Sequence, residues 1–347
     1  MQITTTATFL LFLGILFLLI NKQYSHAGFF LILSVFFLVI AFNAGGGWDF
    51  DSYKSMYYNL SENLDDERVG YGYGVLLIFA NKLGEFRWLL VMTALISTIF
   101  LKVAFSHGNK KIALSSLIFF LLSTAGLLHQ ISEMRQGVAV CIFTASACLL
   151  YRRQYYFAGL TLLLSFLFHS SALLITLLVI ICFFAISHRF IFLSIISVLF
   201  LSYSHIVDFL IQIYPIYIPQ IISYLDNENS YGKYYLISTF FFLWMLYFIN
   251  FKIIGVYPKA LLLALCISVL ISIYSYDLGR ISNYLIGPLI YIFLSELEVN
   301  NRKISTQAIG TIFFIYLIFM TVIFRANFSG NDSFNKFSYC FLNATCL

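Results

Sequence analysis

Apolar runs of 14 to 21 residues recur from one end of the chain to the other, and no other feature narrows its fold as much. Runs of this length separated by short charged segments are what bilayer-spanning helices require, because a backbone in hydrocarbon must satisfy its own hydrogen bonds. Strands of a membrane barrel would instead alternate apolar and polar residues over about ten positions. Composition points the same way: the 347 residues are 61% hydrophobic and 10% charged, with a mean hydropathy of +0.92. A soluble domain of this size could not bury so much apolar surface. The sequence predicts an all-α, polytopic integral membrane protein.

Spans are expected near residues 5–20, 28–42, 87–105, 112–128, 136–151, 155–168, 171–187, 190–206, 234–250, 260–276, 281–297 and 304–324, about twelve in all. The opening MQITTTATFL lacks the basic region of a cleavable signal and reads as part of the first span. The stretch 156–187 needs a break, because roughly 32 helical residues would extend about 48 Å, well beyond a hydrocarbon core of about 30 Å. The polar triplet His169, Ser170 and Ser171 supplies that break. With it, the short loops NKQYSH, SHGNKK, YRRQ, SHR, NFKIIGVYPK and EVNNRK fall on one side, with about eleven Lys and Arg against two Glu. An excess of basic residues in short loops marks the cytoplasmic face. The other face receives two sizeable periplasmic loops, about 43–86 and 207–233, and a tail 325–347, with about nine Lys and Arg against thirteen Asp and Glu.

Several functions are excluded by this layout. The cytoplasmic loops are too short for a nucleotide-binding fold and contain no GxxxxGK[ST] phosphate cradle, so ATP does not drive the protein directly. The net charge of +5 is explained by sidedness and is not a nucleic-acid signal. No CxxC or HExxH spacing occurs, which argues against a transition-metal site, and no cofactor is expected. Cys141, Cys148, Cys182 and Cys266 lie within spans as small packing residues, whereas Cys340 and Cys346 lie in the tail, where an oxidising compartment would permit a disulfide.

Four clusters of ionisable residues map to the outer face, where such groups at span ends are functional candidates. In GGGWDFDSYKSMYYNL, Trp48, Asp49, Asp51 and Tyr53 combine paired carboxylates with aromatic rings, which suits carbohydrate hydroxyls and ring faces. An interfacial helix capped by Asp51 or Ser52 is the alternative reading. In LLHQISEMRQGVAV, Arg135 opens an apolar helix just after Glu133. A cation there opposes the macrodipole unless an anion offsets it, and a guanidinium fork grips phosphate in two places; a headgroup contact or a pair with Glu133 would also account for it. His129 and Gln136 are weaker candidates. His169 turns outward on the same face as Arg135 and could accept a proton, donate to phosphate or cap the next helix. In IYSYDLGRISNYLIGPL, Arg280 begins another helix beside Tyr276 and Asp277, a second phosphate clamp or a structural Asp277–Arg280 pair. VGYGYGVLLIFANKLGEF, residues 69–86, reads as an amphipathic segment against the outer surface, its Gly and Tyr residues architectural.

The order of these segments resembles the EpsG-like and Wzy-type O-antigen and polysaccharide polymerases of bacterial inner membranes. GGGWDFDSYKSMY, VGYGYGVLLIFANKLG, RQGVAV, FHSSALL about 34 residues after Arg135, and GRISNYL carry the resemblance over most of the chain. It implies a single transmembrane glycosyltransferase domain over residues 1–347, metal-independent, that moves a growing glycan from undecaprenyl pyrophosphate onto the next lipid-linked repeat unit outside the cytoplasmic membrane. Lipopolysaccharide or related polysaccharide biosynthesis would be its setting. In that chemistry Arg135, Arg280 and His169 would hold the pyrophosphate. Asp49 or Asp51 would be the general base, with Glu133, Asp277 and His169 as rivals. Trp48, Tyr53, Tyr276 and Asp277 would contact glycan. Expected partners are the undecaprenyl-pyrophosphate-linked oligosaccharide, the lipid bilayer and a chain-length regulator protein. A lipid-linked oligosaccharide flippase and an O-antigen ligase are the competing readings.

Overall fold

A computed structural model describes residues 25–43, 49–60, 70–123, 125–126, 129–184, 255–274 and 280–299, and every element among them is helical. In chain order these are α1 (Ser25–Ala41), α2 (Phe50–Tyr58), α3 (Tyr71–Lys82), α4 (Phe86–Phe105), α5 (Lys110–Leu122), α6 (His129–Ser132), α7 (Met134–Tyr151), α8 (Tyr155–Phe168), α9 (Ser171–Phe184), α10 (Val256–Tyr274) and, after a 3₁₀ turn at Arg280–Ser282, α11 (Asn283–Val299).

The bundle is built around α7, because α7 has no polar side to give to solvent. Gly137, Ala139, Ala145, Ser146 and Ala147 keep its surface small on every face, so α4, α6, α8 and α11 can all lie directly against it. Every residue from Met134 to Leu149 is buried except Arg135, which is half-buried. A helix apolar all round is expected to be enclosed in this way. Cys141, Cys148 and Cys182 are free thiols buried in this packing, as expected.

The outer helices invert the pattern. Tyr156, Phe157 and Leu163 on α8, and Leu174, Ile181 and Phe184 on α9, are large, apolar and exposed. Apolar patches of this extent would be an aggregation liability in water and are matched by lipid. Helices α4 and α7 are long and apolar enough to cross a membrane, while α1, α8, α9 and the first part of α10 are apolar but shorter. The protein is a helical membrane protein.

Helix directions follow from contacts at the two ends of α7. At its C-terminus Arg152 donates to the carbonyls of Val103, at 2.8 Å, and Ala104, and its guanidinium lies 4.9 Å from the Tyr291 ring centre. Tyr151 there donates to Glu296 at 3.0 Å. The ends of α4 and α11 therefore meet the end of α7, and these helices start together at the opposite pole. At 1.5 Å per residue the 18 residues of α7 separate its poles by about 27 Å, close to a hydrocarbon thickness. Arg135 and Arg152 thus belong to different poles, as the charge map requires.

Most expected spans coincide with helices, and two segments differ in an informative way. The span expected over 112–128 is an α-helix only to Leu122, where Ser123 Oγ donates to the Phe120 carbonyl at 2.6 Å and Ser123 N to the carbonyls of Phe119 and Phe120. Within the segment 43–86 the described residues include two helices in place of loop: α2 buries Phe50, Tyr53 and Tyr57, and α3 buries Tyr73, Leu77 and Ala80. The remaining face of α3 exposes Tyr71, Val75 and Phe79, so the helix is apolar on both sides where an amphipathic segment was expected. The spans expected at 5–20, 190–206, 234–250 and 304–324, the loop 207–233 and the tail 325–347 lie outside the described residues.

Contact between α11 and α7 depends on Gly287. A Cβ there would lie 2.7 Å from Thr144 Oγ1 and 2.8 Å from its Cγ2. Thr144 is fully buried and its hydroxyl is tied to Val140 O at 2.8 Å, so it cannot turn away. Gly287→Ala should destabilise the protein by about 1–3 kcal/mol, the usual range for overpacking. It should be seen as a lowered melting temperature in lipid nanodiscs, and Thr144→Ala in the same chain should restore it.

Candidate active site

The short helix α6 precedes α7 and lies inside the protein. Its four residues, HQIS, are all buried. Such a segment survives in an apolar setting only if its polar side chains find partners. Gln130 supplies the anchor: Ser97 Oγ donates to its Oε1 at 2.8 Å, and its Nε2 donates to Cys141 Sγ at 3.1 Å, tying α6 to α4 and α7. Glu133 follows as the residue preceding α7, and its carboxylate makes no capping bond to that helix.

The carboxylate is committed elsewhere. Arg280 Nη1 lies 3.0 Å from Glu133 Oε1, with the Glu133 side chain 5% exposed and that of Arg280 25%. Gln136 Nε2 donates to the Arg280 backbone carbonyl at 3.4 Å, so two neighbours on α6–α7 grip the 3₁₀ turn at 280. His129, four residues before Glu133 on the same face, places Nε2 3.1 Å from Glu133 Oε2, although neither atom has hydrogen-bond geometry. Burial, and then the Arg280 charge, push the His129 ring down to about 3, so it stays neutral. Burial pushes the Glu133 carboxyl up, and Arg280 opposes this.

A second cation comes from α7 itself. Arg135 is the second residue of the helix, and its guanidinium sits 5.8 Å from the Tyr53 ring centre and donates to the Tyr53 oxygen. Burial pushes the Tyr53 phenol up to about 12, so it remains protonated. Asp49 is close enough to feel Glu133, Arg280 and Arg135 together. It stands at the N-cap position of α2, where an aspartate ordinarily bonds the helix N–H groups, yet it makes no such bond. Its half-buried carboxyl is raised above the usual range by desolvation, then by Glu133, against the pull of both arginines. Asp51, which the sequence left equal to Asp49, is exposed on the solvent side of α2 with Ser52, so the two carboxylates part company.

His169 completes the group from the break between α8 and α9. The break is real: α8 ends at Phe168, His169 is extended, and α9 begins at Ser171. Gly70 fixes this corner from outside, with φ +74 and an imagined Cβ 3.0 Å from Phe168 O, a place only glycine fits. The ring caps α9, as Ser171 N donates to His169 Nδ1 at 3.3 Å. Ser171 Oγ lies 2.7 Å from the same nitrogen and 2.9 Å from the Tyr284 oxygen. Burial, then Arg135, His129 and Arg280, push the His169 ring down to about 4.

Residues distant in sequence thus meet at the pole of the bundle opposite Arg152. Asp49, Tyr53, Glu133, Arg135, His169 and Arg280 come together. Trp48, Tyr276, Asp277, Cys340 and Cys346 lie outside the described residues. His129 and Gln136 join the group although the sequence ranked them low; the four-residue spacing of His129 and Glu133, which puts them on one helix face, was the signal available. Among the described residues no three His, Cys, Asp or Glu side chains converge as a metal cage would need.

The fold and site define a helical membrane protein with two cations, two carboxylates and two neutral imidazoles gathered at one pole. The EpsG family model matches residues 26–341, and the chain belongs to the EpsG family, which points to a polysaccharide-polymerase-like role. No curated protein and no solved structure matches the chain.

Asp49 carries a pH prediction. Were Asp49 the base of a reaction at this site, it would act when ionised, and activity would rise with pH through its raised pKa. Removing the Glu133 charge eases ionisation of Asp49. In Glu133→Gln the acidic limb of kcat/KM should therefore move to lower pH, even though the maximal rate falls; profiles between about pH 4 and pH 8 check this.

Proposed function

We propose that the protein is a polysaccharide repeat-unit polymerase, which transfers a growing glycan from undecaprenyl pyrophosphate onto the next lipid-linked repeat unit at the periplasmic face of the bacterial inner membrane. The observation that carries this reading is the convergence of Arg135 and Arg280 with His169 and Asp49 at one pole. Diphosphate is a good leaving group once its developing charge is neutralised, and two guanidinium forks with an imidazole donor are suited to that.

In this reaction the acceptor sugar hydroxyl loses its proton to the Asp49 carboxylate as its oxygen bonds to the anomeric carbon of the growing glycan. The anomeric carbon–oxygen bond to the diphosphate breaks, and the electron pair leaves with undecaprenyl pyrophosphate between the arginines. The raised Asp49 pKa brings its basicity closer to neutral pH, which favours proton abstraction. Glu133 is not the base in this scheme, since it is nearly enclosed and holds Arg280. Its role is to set the Arg280 fork. Tyr53, buried beneath Arg135, supports that guanidinium with its ring and is too enclosed to contact a sugar itself.

A flippase would place its cations in a central cavity open to each side in turn, whereas these lie at one pole. A ligase shares the donor chemistry and differs in acceptor. Purified protein in liposomes, given one synthetic undecaprenyl-pyrophosphate repeat unit, should produce a ladder of lengthened glycans. Transport without lengthening would favour the flippase, and transfer only onto lipid A core would favour the ligase.

Arg135→Ala should abolish the ladder while the protein remains folded in the membrane. Arg135→Lys should also lose most activity, because a point charge cannot replace the fork. Asp49→Asn should lower turnover by about 10²–10⁴-fold, the range for a general base, with little change in donor affinity, and Asp51→Asn should stay near wild type.

A further inference from the structure

Proton placement around His169 can be worked out from donors whose direction is fixed. A backbone N–H only donates, and that of Ser171 is aimed at His169 Nδ1, 3.3 Å away. This N–H favours a lone pair on Nδ1, since a proton there would oppose it. The Ser171 hydroxyl, 2.7 Å from the same nitrogen, must then donate to it. With that proton committed, the 2.9 Å contact between Ser171 Oγ and the Tyr284 oxygen is satisfied only if the Tyr284 hydroxyl donates to Ser171. One ordering serves all three contacts: Tyr284 to Ser171, and Ser171 to Nδ1.

Tyr284 is well placed to impose this order. It is fully buried near the start of α11, one turn beyond Arg280, and its ring meets Phe143 edge-on with centres 5.4 Å apart. Neither Ser171 nor Tyr284 is exposed enough for water to substitute readily, as they are 9% and 0% exposed. The chain of contacts joins the Arg280 element to the break between α8 and α9.

We propose that Tyr284 is a positioning residue which, through Ser171, locks His169 in the tautomer with its proton on Nε2, so that His169 serves as a neutral hydrogen-bond donor to the diphosphate and not as a proton acceptor. The donor role rests on the polymerase reading above; the tautomer does not. A neutral donor adds a hydrogen bond to the leaving group without a third cation, which leaves proton removal to Asp49.

The ring nitrogens can be tested separately, because a glutamine amide reaches the Nε2 position and an asparagine amide the Nδ1 position. His169→Gln should keep repeat-unit lengthening within about tenfold of wild type. His169→Asn, which keeps a cap for α9, should lose about 10²–10³-fold, as expected for a lost oxyanion donor. Tyr284→Phe and Ser171→Ala should each lower kcat by roughly five- to tenfold with KM unchanged, and the double variant should be no worse than either alone. Nitrogen-15 NMR of histidine-labelled protein in lipid, with His169 assigned by its absence in His169→Gln, should show a bare Nδ1 and a protonated Nε2 at neutral pH. Tyr284→Phe should populate the opposite tautomer. A wild-type spectrum with Nδ1 protonated, or an active Asn variant beside an inactive Gln variant, overturns the proposal. The spectrum needs no substrate, so a wild-type protein that makes no ladder yet shows this tautomer removes the polymerase reading and leaves the lock standing.

Discussion

The Glu133–Arg280 contact is what the polar pole of this bundle depends on. A carboxylate with 5% of its side chain exposed cannot stay ionised in apolar surroundings without a partner, and its partner arrives from a segment far along the chain. That pair ties the start of α7 to the 3₁₀ turn that leads into α11. It also sets the charge of the site, since Arg280 draws down the proton affinity of both Glu133 and Asp49. Desolvation pushes the other way, and the balance leaves two cations facing two reluctant carboxylates. Such a site is poised to accept an anion.

The division of labour among similar residues follows from where each is tethered. Arg280 is held by a carboxylate and, through its backbone carbonyl, by Gln136, whereas Arg135 lies against the Tyr53 ring of α2. Asp49 and Asp51 are two residues apart, yet the helical rise of α2 turns one toward the arginines and the other to solvent. His129 and His169 are both neutral, but only His169 has its ring nitrogen fixed by a helix N-terminus.

Support for the site is remote from it. Gln130 pins α6 by hydrogen bonds that touch neither arginine, and Gly70 lets α3 reach the corner that holds His169. At the other pole Arg152 complements the C-terminus of α4 and stacks on Tyr291, a place where a cation suits the helix dipole. Arg135 sits where a cation does not suit it. The two ends of α7 thus differ: Arg152 complements helix C-termini, while Arg135 opposes the dipole at an N-terminus.

Much of this was legible in the sequence. Apolar run length, loop charge and the overlong stretch 156–187 determined helices, their approximate ends and the break at His169, because those features report on the thickness and polarity of a bilayer, which every segment meets independently. Only the tertiary structure decided that 129–132 form a buried helix, that 50–58 and 71–82 are docked helices, that Asp49 and not Asp51 reaches the arginines, and that His129, Gln136, Ser171 and Tyr284 belong with them. Those outcomes depend on pairings between segments as far apart as Glu133 and Arg280, and no local pattern encodes which buried carboxylate will meet which distant guanidinium.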